Sequence, residues 1–276
     1  MHTRPIKLTF LGTGTSQGVP VIGCRCPVCR SADPRDNRLR TAALVEIPRP
    51  EGAGPVRLVI DAGPDFRCQM LRCGARRIDA ILLTHEHKDH IGGLDDVRAL
   101  NFIDYPEIRI VPLYGTAKTL ATVRHDFHYA FENDKYRGVP EFDLHEIDPT
   151  RPFTVAGIGV LPVQGSHSER FRVTGFRIGG LAYLTDFKTI DEAEKAKLRG
   201  VDTLVVNALR RQAHDSHFSL PEALALIGEI APRQAFLTHM SHEIGLHAEL
   251  ARHLPEGVFG ACDGLTVEVK PDTEYA

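Results

Sequence analysis

The sequence feature that most constrains this chain is a run of metal-binding residue types directly after an apolar segment. Ile78–Leu83 reads as a buried strand, and the letters THEHKDH follow it at once. His85 and His87 are two residues apart, so an extended chain would point both side chains to one side. Asp89 and His90 come where the chain turns toward a helix, so they can face a neighbouring point. Imidazole and carboxylate ligands suit Zn, Mn or Fe(II), and the pattern therefore favours a metal site over an exposed polar loop.

Composition sets wide limits around this signal. The chain has 276 residues, of which 42% are hydrophobic and 25% charged, as in an ordinary globular protein. Its net charge of −3 shows no broad basic field, so a large nucleic-acid footprint is disfavoured. The N-terminal segment Met1–Pro5 has no leader-like pattern, and no apolar run reaches membrane-spanning length. We therefore expect a cytoplasmic protein without a membrane partner.

Short β-rich runs and helical patterns share the chain, which predicts an α/β protein with sheets covered by helices. The predicted strands are Ile6–Leu11, Ala42–Ile47, Val56–Ile60, Ile78–Thr84, Ile108–Leu113, Ile158–Val163, Val173–Ile178, Leu181–Thr185, Val201–Val206, Ala235–Thr238 and Leu265–Val269. The predicted helices are Gly93–Ile103, Ala117–Phe127, Ile190–Arg199, Leu220–Ile230 and His242–His253.

Three further candidates stand at the exits of predicted strands. They are His167, Asp186 and His239, and open α/β sheets build their sites at such positions. Taken singly, each would be interpreted as a capping or surface residue. Together with the THEHKDH segment, their order resembles the His-x-His-x-Asp-His signature and the later ligands of the metallo-β-lactamase superfamily. The resemblance implies one domain over residues 1–276, with a four-layer αββα sandwich.

The same resemblance implies a ligand set for two divalent cations, Zn or Mn. A carboxylate shared between two cations lowers their mutual repulsion. Asp61, in the letters DAG, matches the superfamily's early Asp-x-Gly element and would orient a ligand histidine. A simple turn aspartate is an equally good interpretation of Asp61. By the resemblance, one cation is held by His85, His87 and His167, the other by Asp89, His90 and His239, and Asp186 bridges them.

A second cluster contains three cysteines within six residues. Cys24, Cys26 and Cys29 offer three thiolates, and a tetrahedral structural zinc needs a fourth ligand. His242 is the candidate, three residues after His239. This arrangement resembles the phosphoribosyl 1,2-cyclic phosphate phosphodiesterase branch of the superfamily, whose zinc knuckle here would cover residues 24–29. Buried or free thiols are the alternative.

The resemblance to that branch extends to a non-ligand histidine and an opening glycine-rich turn. His217 occupies the position of the branch's active-site histidine, with His214 as its rival. The turn Gly12–Gly18 would present backbone amides to an anion or form a tight bend. Arg40 would steer a phosphate or be a solvated charge. The sequence does not choose between these last interpretations.

The resulting functional hypothesis is a dinuclear metal-dependent phosphodiesterase. A hydroxide bridging the metals would attack a small cyclic phosphate or nucleotide phosphodiester, with His217 and Asp89 as catalytic residues. The expected partner is a small phosphodiester, and a homodimer is an open expectation. The alternatives are an RNA-processing endonuclease of the transfer-RNA 3′-end type and a non-catalytic metal- or redox-sensing protein.

Overall fold

A computed structural model describes residues 5–49 and 54–270, so the prediction made on Met1–Pro5 lies almost wholly outside the described residues. Within those two ranges, none of the helices combines the length and the apolar character that crossing a bilayer requires. The strands of the described chain are β1 (Ile6–Gly12), β2 (Ala42–Ile47), β3 (Val56–Ile60), β4 (Ala80–Leu82), β5 (Val111–Gly115), β6 (Phe142–Glu146), β7 (Phe153–Val155), β8 (Ile158–Ser166), β9 (Arg172–Ile178), β10 (Leu181–Leu184), β11 (Thr203–Asn207), β12 (Gln234–Thr238), β13 (Val258–Gly260) and β14 (Thr266–Val269).

These strands form two seven-stranded sheets. The first has the order β14-β1-β2-β3-β4-β5-β6, and the second has the order β13-β12-β11-β10-β9-β8-β7. In each sheet one half is antiparallel and the other is parallel, from β3 to β6 and from β10 to β13. The parallel halves matter for function, because their carboxyl ends meet at one edge of the sheet.

Helices cover the outer face of each sheet. The two inner faces pack on each other through side chains such as Phe10 and Leu58 from the first sheet and Phe176 and Tyr183 from the second. Side chains that alternate with them point outward to the helices, as strand geometry requires. The predicted four-layer αββα sandwich is confirmed. Its helices are α1 (Phe66–Cys73), α2 (Lys88–Ile91), α3 (Arg98–Asn101), α4 (Ala117–Asp126), α5 (Glu192–Ala196), α6 (Leu220–Ile230) and α7 (His247–His253).

Some predicted helices are divided or shorter in the structure. The helix expected over Gly93–Ile103 is instead a 3₁₀ turn at Leu94–Val97 followed by α3. The helix expected over His242–His253 is divided because Gly245 adopts a φ of 102°, which ends the 3₁₀ turn before α7 begins. The start of α6 is as expected, since the Glu222 carboxylate accepts the backbone N–H of Ser219 at 2.8 Å.

Candidate metal centre

The predicted ligands collect at the carboxyl edge shared by the parallel strands. Asp61 follows β3, Asp186 lies two residues after β10, and His239 follows β12. All three have left-handed backbone conformations, with φ values of 64°, 64° and 53°. Such conformations cost roughly 1–3 kcal/mol each and persist where surrounding contacts enforce them. The chain therefore turns sharply at each of these residues, directly at the edge where their side chains meet.

A close backbone contact joins the turn at Asp61 to the segment that carries the predicted ligands Asp89 and His90. The N–H of Ala62 donates to the His90 carbonyl at 2.8 Å, and the N–H of Gly93 donates to the Ala62 carbonyl at 2.9 Å. A Cβ atom on Gly63 would lie 1.9 Å from the carbonyl oxygen of Asp89. Only glycine permits this approach, which explains the glycine of the Asp-x-Gly element in terms of packing.

The first group of predicted ligands consists of His85, His87 and His167. The ring centroids lie 4.6 Å apart for His85 and His87, 4.9 Å for His87 and His167, and 5.4 Å for His85 and His167. One ring nitrogen from each residue lies within 4.8 Å of the others. His85 and His167 are buried, whereas His87 is half-buried. The structure thus brings this group together across 82 residues of sequence.

The second group consists of Asp89, His90, Asp186 and His239. Nε2 of His90 lies 3.2 Å from Oδ2 of Asp89 and 3.3 Å from Oδ2 of Asp186. Nδ1 of His239 lies 3.2 Å from the same oxygen of Asp186. Asp186 is also grouped with His167, a member of the first set. Asp186 therefore lies within reach of both sets, as a shared ligand would.

One buried carboxylate supports a histidine of each group. The hydroxyl of Thr84 donates to Oδ2 of Asp61 at 2.9 Å, and its oxygen lies 3.0 Å from Nδ1 of His85. Nδ1 of His90 donates directly to Oδ2 of Asp61 at 2.7 Å. Because Thr84 gives its hydroxyl proton to Asp61, it accepts the Nδ1–H of His85. This is the arrangement that the interpretation of Asp61 as an orienting residue requires.

The free ring nitrogens fit cations rather than protein partners. Nε2 of His85 and Nε2 of His90 are buried atoms that make no hydrogen bond in the described structure. Buried polar atoms normally make hydrogen bonds. Nε2 of His85 makes none, and Nε2 of His90 only lies near the carboxylates of Asp89 and Asp186, so both nitrogens are placed to bind cations. Burial lowers the pKa of His85 and of His167, and it lowers the pKa of His239 to about 3. Neutral imidazoles of this kind keep the lone pair that a metal needs.

The charge of the cluster points the same way. Burial alone would lower the pKa of His90, but the carboxylates of Asp89, Asp186 and Asp61 raise it well above its usual range. Burial likewise would raise the pKa of Asp186, but His239 and His90 hold it below its usual range. The pocket therefore favours positive charge at its centre. The donor set and the charge both fit divalent cations, and the individual ligand roles stay predictions.

His217 lies at the side of the centre, where it touches Asp186. Its Nε2 is 3.0 Å from Oδ1 of Asp186, and its ring stacks on that of His239 with centroids 4.9 Å apart. The side chain is 12% exposed, whereas that of Asp186 is 2% exposed. Its rival, His214, contacts His217 with the two Nδ1 atoms 3.4 Å apart. Among the contacts of the described residues, His217 is the one of the pair that reaches Asp186.

The glycine-rich turn is built for packing. A Cβ on Gly14 would lie 2.6 Å from the carbonyl oxygen of Arg38, so the two backbones meet without room for a side chain. The turn also pairs with the segment after β12, since the Met240 N–H donates to the Thr13 carbonyl at 2.8 Å. Within it, Oγ1 of Thr15 lies 3.2 Å from Nε2 of His239. The turn thus places the Thr15 hydroxyl within hydrogen-bond distance of the predicted ligand His239.

Arg40 lies next to this turn and is paired within the protein. Its Nη1 lies 3.1 Å from Oδ1 of Asp65, and its Nε donates to the Ser16 carbonyl at 3.0 Å. These contacts favour a structural role for Arg40 over the steering of phosphate.

The cysteine cluster forms a separate group at the rim. Sγ of Cys24 and Sγ of Cys26 each lie 3.3 Å from Nδ1 of His242, and Sγ of Cys29 lies 3.6 Å from it. The backbone N–H of Cys29 is the main cause that lowers the pKa of Cys26 to about 6, whereas burial raises the pKa of Cys29 to about 11. Three sulfurs and one imidazole within 4.8 Å of one another fit a tetrahedral zinc.

Sequence reasoning missed several residues that hold the site together. Thr84, Thr15 and Ser216 each contact a predicted ligand histidine, and Asn207 holds the chain after Asp186 by accepting the Phe187 N–H at 2.8 Å. Thr84 adjoins the histidine motif and had a local signal. The others had none, because serine, threonine and asparagine are common at loops and strand ends.

Comparison with known proteins places this geometry among relatives. A family model described as a β-lactamase superfamily domain matches residues 56–240. This range includes Asp61, the predicted ligands of the buried centre and His217, but not the cluster of Cys24, Cys26, Cys29 and His242. A crystal structure described as a new diphosphatase from the PhnP family is similar at 40% identity, with a TM-score of 0.87. The similarity covers 97% of this chain and 98% of that chain.

Two curated relatives extend the comparison. The octanoyltransferase of Porphyromonas gingivalis is 40% identical over 261 residues, which are 94% of this chain and 51% of that protein. The chain thus spans about half the length of this relative, whose name belongs to the longer protein as a whole. The ribonuclease Z of Mycobacterium bovis is 26% identical over 234 residues, which are 72% of this chain and 84% of that protein.

Proposed function

This chain belongs to the β-lactamase superfamily, and from that premise we propose that it is a dinuclear metal-dependent phosphodiesterase. The family match and the PhnP-family neighbour confirm the predicted metallo-β-lactamase fold and support a hydrolase. The proposed substrate is a small cyclic phosphate or a nucleotide phosphodiester. The proposed active-site cations are two Zn or Mn ions, with a third, structural zinc in the cysteine cluster.

One observation carries this proposal, namely the position of Asp186 between the two ligand groups. Its Oδ2 lies within 3.3 Å of ring nitrogens from His90 and His239, and its Oδ1 lies 3.0 Å from Nε2 of His217. A carboxylate that two cations can share, next to a partly exposed histidine, is the arrangement expected of a hydrolytic site with two cations. A single structural ion would not need a ligand placed in this way.

Cations held by these residues would supply Lewis acidity at a phosphoryl oxygen and lower the pKa of a water molecule. The protein's own part is to hold the predicted ligands in place. Asp61 binds His90 directly, and Thr84 links Asp61 to His85. In the reaction, a water molecule gives up one proton and its oxygen binds phosphorus, the bond from phosphorus to the leaving oxygen breaks, and the leaving oxygen gains a proton. Nε2 of His217 is placed to donate this proton or to hold a phosphate oxygen. Asp89, whose side chain is 14% exposed, is the second proposed catalytic residue.

The test is turnover of bis-p-nitrophenyl phosphate by protein that has been stripped with a chelator and reloaded with zinc or manganese. Alongside it, a ribose 1,2-cyclic phosphate and a dinucleotide are compared as substrates. The proposal expects no turnover by the stripped protein, restored turnover on reloading, and strong loss in His217→Ala with full metal content. Unchanged turnover in fully loaded His217→Ala would reject the role of His217. No turnover of any phosphodiester by the loaded protein would reject the function.

A diphosphatase is a second candidate, because the neighbour at 40% identity is described by that activity. A phosphoric anhydride is cleaved by the same attack of water on phosphorus, but its leaving group is a phosphate. A phosphate leaves more easily than an alkoxide and gains less from a general acid. His217→Ala should therefore cost less with a dinucleoside diphosphate than with an alkyl phosphodiester. Equal losses with both substrates would contradict this expectation.

An RNA-processing endonuclease is the candidate that the ribonuclease Z relative represents. The net charge of −3 disfavours this endonuclease, since binding of a transfer RNA depends on many contacts between basic residues and phosphates. Cleavage of a precursor transfer RNA at low enzyme concentration would favour the endonuclease over the small-substrate enzyme.

A metal- or redox-sensing protein would show full metal loading without turnover of any substrate. A cytoplasmic location and a homodimer stay predictions that the described residues do not test.

A further inference from the structure

Three histidine rings surround Ser216, which lies on the loop between β11 and α6. Its carbonyl oxygen accepts the Nδ1–H of His167 at 2.7 Å. Its hydroxyl oxygen lies 3.0 Å from Nδ1 of His217 and 3.2 Å from Nδ1 of His214. One residue therefore contacts a predicted metal ligand, the proposed catalytic histidine and the rival of that histidine.

The direction of these hydrogen bonds follows from the backbone. The N–H of Ser216 donates to Nδ1 of His214 at 3.2 Å, so this nitrogen carries no proton. Oδ1 of Asp186 can only accept, so Nε2 of His217 carries the ring proton, and Nδ1 of His217 is free to accept the hydroxyl proton of Ser216 at 3.0 Å. With Nδ1 engaged in this way, Nε2 is the nitrogen of His217 that faces Asp186, at 3.0 Å.

We propose that Ser216 is a positioning residue that holds His217 through Nδ1 and directs its Nε2 at the bond to be broken. The same residue supports His167 through its carbonyl, so the loop couples a metal ligand to the catalytic histidine. His214 takes part as the acceptor of the Ser216 backbone N–H and not as the leaving-group acid. The inference deepens the proposed function, because it rests on the role of His217 in that function.

Two substitutions separate the role of the Ser216 hydroxyl from the roles of its backbone groups. Ser216→Ala removes the hydroxyl but keeps the carbonyl that supports His167 and the N–H that binds His214. Metal content should therefore be unchanged, while kcat falls by about 10- to 100-fold, the usual effect of losing an orienting partner. KM should change little. Ser216→Thr keeps a hydroxyl and should restore most of kcat. Thr122→Ala is the matched control, since that hydroxyl bonds the Lys118 carbonyl in its own helix.

A spectroscopic measurement tests the geometry without any substrate. In zinc-loaded protein with ¹⁵N-labelled histidine, the His217 ring signals are assigned by their absence in His217→Gln. We expect a protonated Nε2 and a hydrogen-bonded, unprotonated Nδ1 of His217 in the wild type and in Ser216→Thr, and a shift of the Nδ1 signal toward that of a ring nitrogen without a hydrogen bond in Ser216→Ala.

The outcomes distinguish this inference from the proposed function. If the wild type hydrolyses no phosphodiester, the function fails, while the nitrogen signals still decide whether Ser216 orients His217. The inference is overturned if Ser216→Ala leaves the nitrogen signals unchanged, whatever happens to kcat. It is also overturned if Ser216→Ala loses metal in proportion to activity, because the residue would then act only as structural support.

Discussion

The two predicted metal centres are built in opposite ways, although His239 and His242 are only three residues apart. In the buried centre each of several ligands has a protein partner behind it, such as Asp61 behind His90 and Thr15 behind His239. In the cysteine cluster the half-buried donors chiefly face one another across His242. We therefore predict that the first centre keeps its shape without metal, whereas the second gains more of its stability from its ion.

The difference has a physical origin in the elements that carry the ligands. The predicted ligands of the buried centre lie at the ends of strands from two sheets. Because the two sheets pack against each other, these strand ends cannot move independently. The cysteines lie on a loop, and the segment after it is joined to the chain beyond His239 by two buried side chains. Arg38 donates to the carbonyls of Ser241 at 2.9 Å and Gly245 at 3.2 Å, and Asp36 accepts the His247 N–H at 2.7 Å. We therefore expect damage to the buried centre to abolish chemistry and damage to the cysteine cluster to reduce stability.

The largest effect is expected from Asp186→Asn. The amide cannot serve as a charged ligand shared by two cations, and it leaves His90, His239 and His217 without their common carboxylate. Turnover should fall well beyond the about 100-fold that loss of an orienting partner costs. Turnover of bis-p-nitrophenyl phosphate and metal content per chain measure the effect. Wild-type activity in this variant would show that Asp186 is not shared.

The next largest effect is expected from changes at Asp61 and Thr84, the two residues that hold the ligand histidines. Two variants separate their contributions to metal affinity. Asp61→Asn disturbs His90 directly and His85 through Thr84, so both active-site metals should bind about 10- to 100-fold more weakly. Thr84→Val removes the link to His85 and the hydroxyl bond to Asp61 but keeps the direct contact of Asp61 with His90, so it should weaken the metal held by His85 more than the other. Thr84→Ser is its control. Chelator competition measures the affinities. Equal weakening of both metals by Thr84→Val would contradict the separate supports.

A smaller effect on chemistry is expected from His242→Ala. The variant should lose one zinc per chain and keep turnover within about tenfold of the wild type. Its melting temperature should fall, by about 2–4 °C for each kcal/mol lost in a domain of this size. Elemental analysis and thermal unfolding of the same preparation check both parts. A collapse of turnover at full active-site metal content would show that the cysteine cluster takes part in the chemistry.

The smallest effect is expected from Thr15→Val, which removes one hydrogen bond to a ligand that is also held by Asp186. A single neutral hydrogen bond contributes about 1 kcal/mol, which corresponds to about fivefold in affinity for one metal. Titration of the stripped protein with zinc measures it. An effect as large as that of Asp61→Asn would mean that the glycine-rich turn, and not the strand end, positions His239.

The parts of the centre that the sequence predicted are those with contiguous signals or strand-end positions. His85 to His90 lie within six residues, and His167, Asp186 and His239 each follow a β-rich run. Such residues are visible because residue type and local pattern coincide. The supports were not visible, since the contact of Ser216 with His167 joins positions 49 residues apart and only the folded sheets bring them together.

The fold shows the same division. Buried strands such as β3 and β11 were predicted closely, because continuous apolar runs mark them. The edge strands β6 and β7 and the helix α1 were missed. β6 reads FDLHE, with polar residues in a short exposed edge, and α1 reads FRCQMLRC, whose buried face includes Gln69. Packing against neighbours, and not local pattern, determines these elements.

The most direct test of the account is anomalous diffraction from crystals of protein grown with zinc. We expect two peaks on either side of the Asp186 carboxylate, one reached by His85, His87 and His167 and the other by Asp89, His90 and His239. A third peak is expected among Cys24, Cys26, Cys29 and His242. A single peak beside Asp186, or none, would contradict the claim that one carboxylate serves two cations.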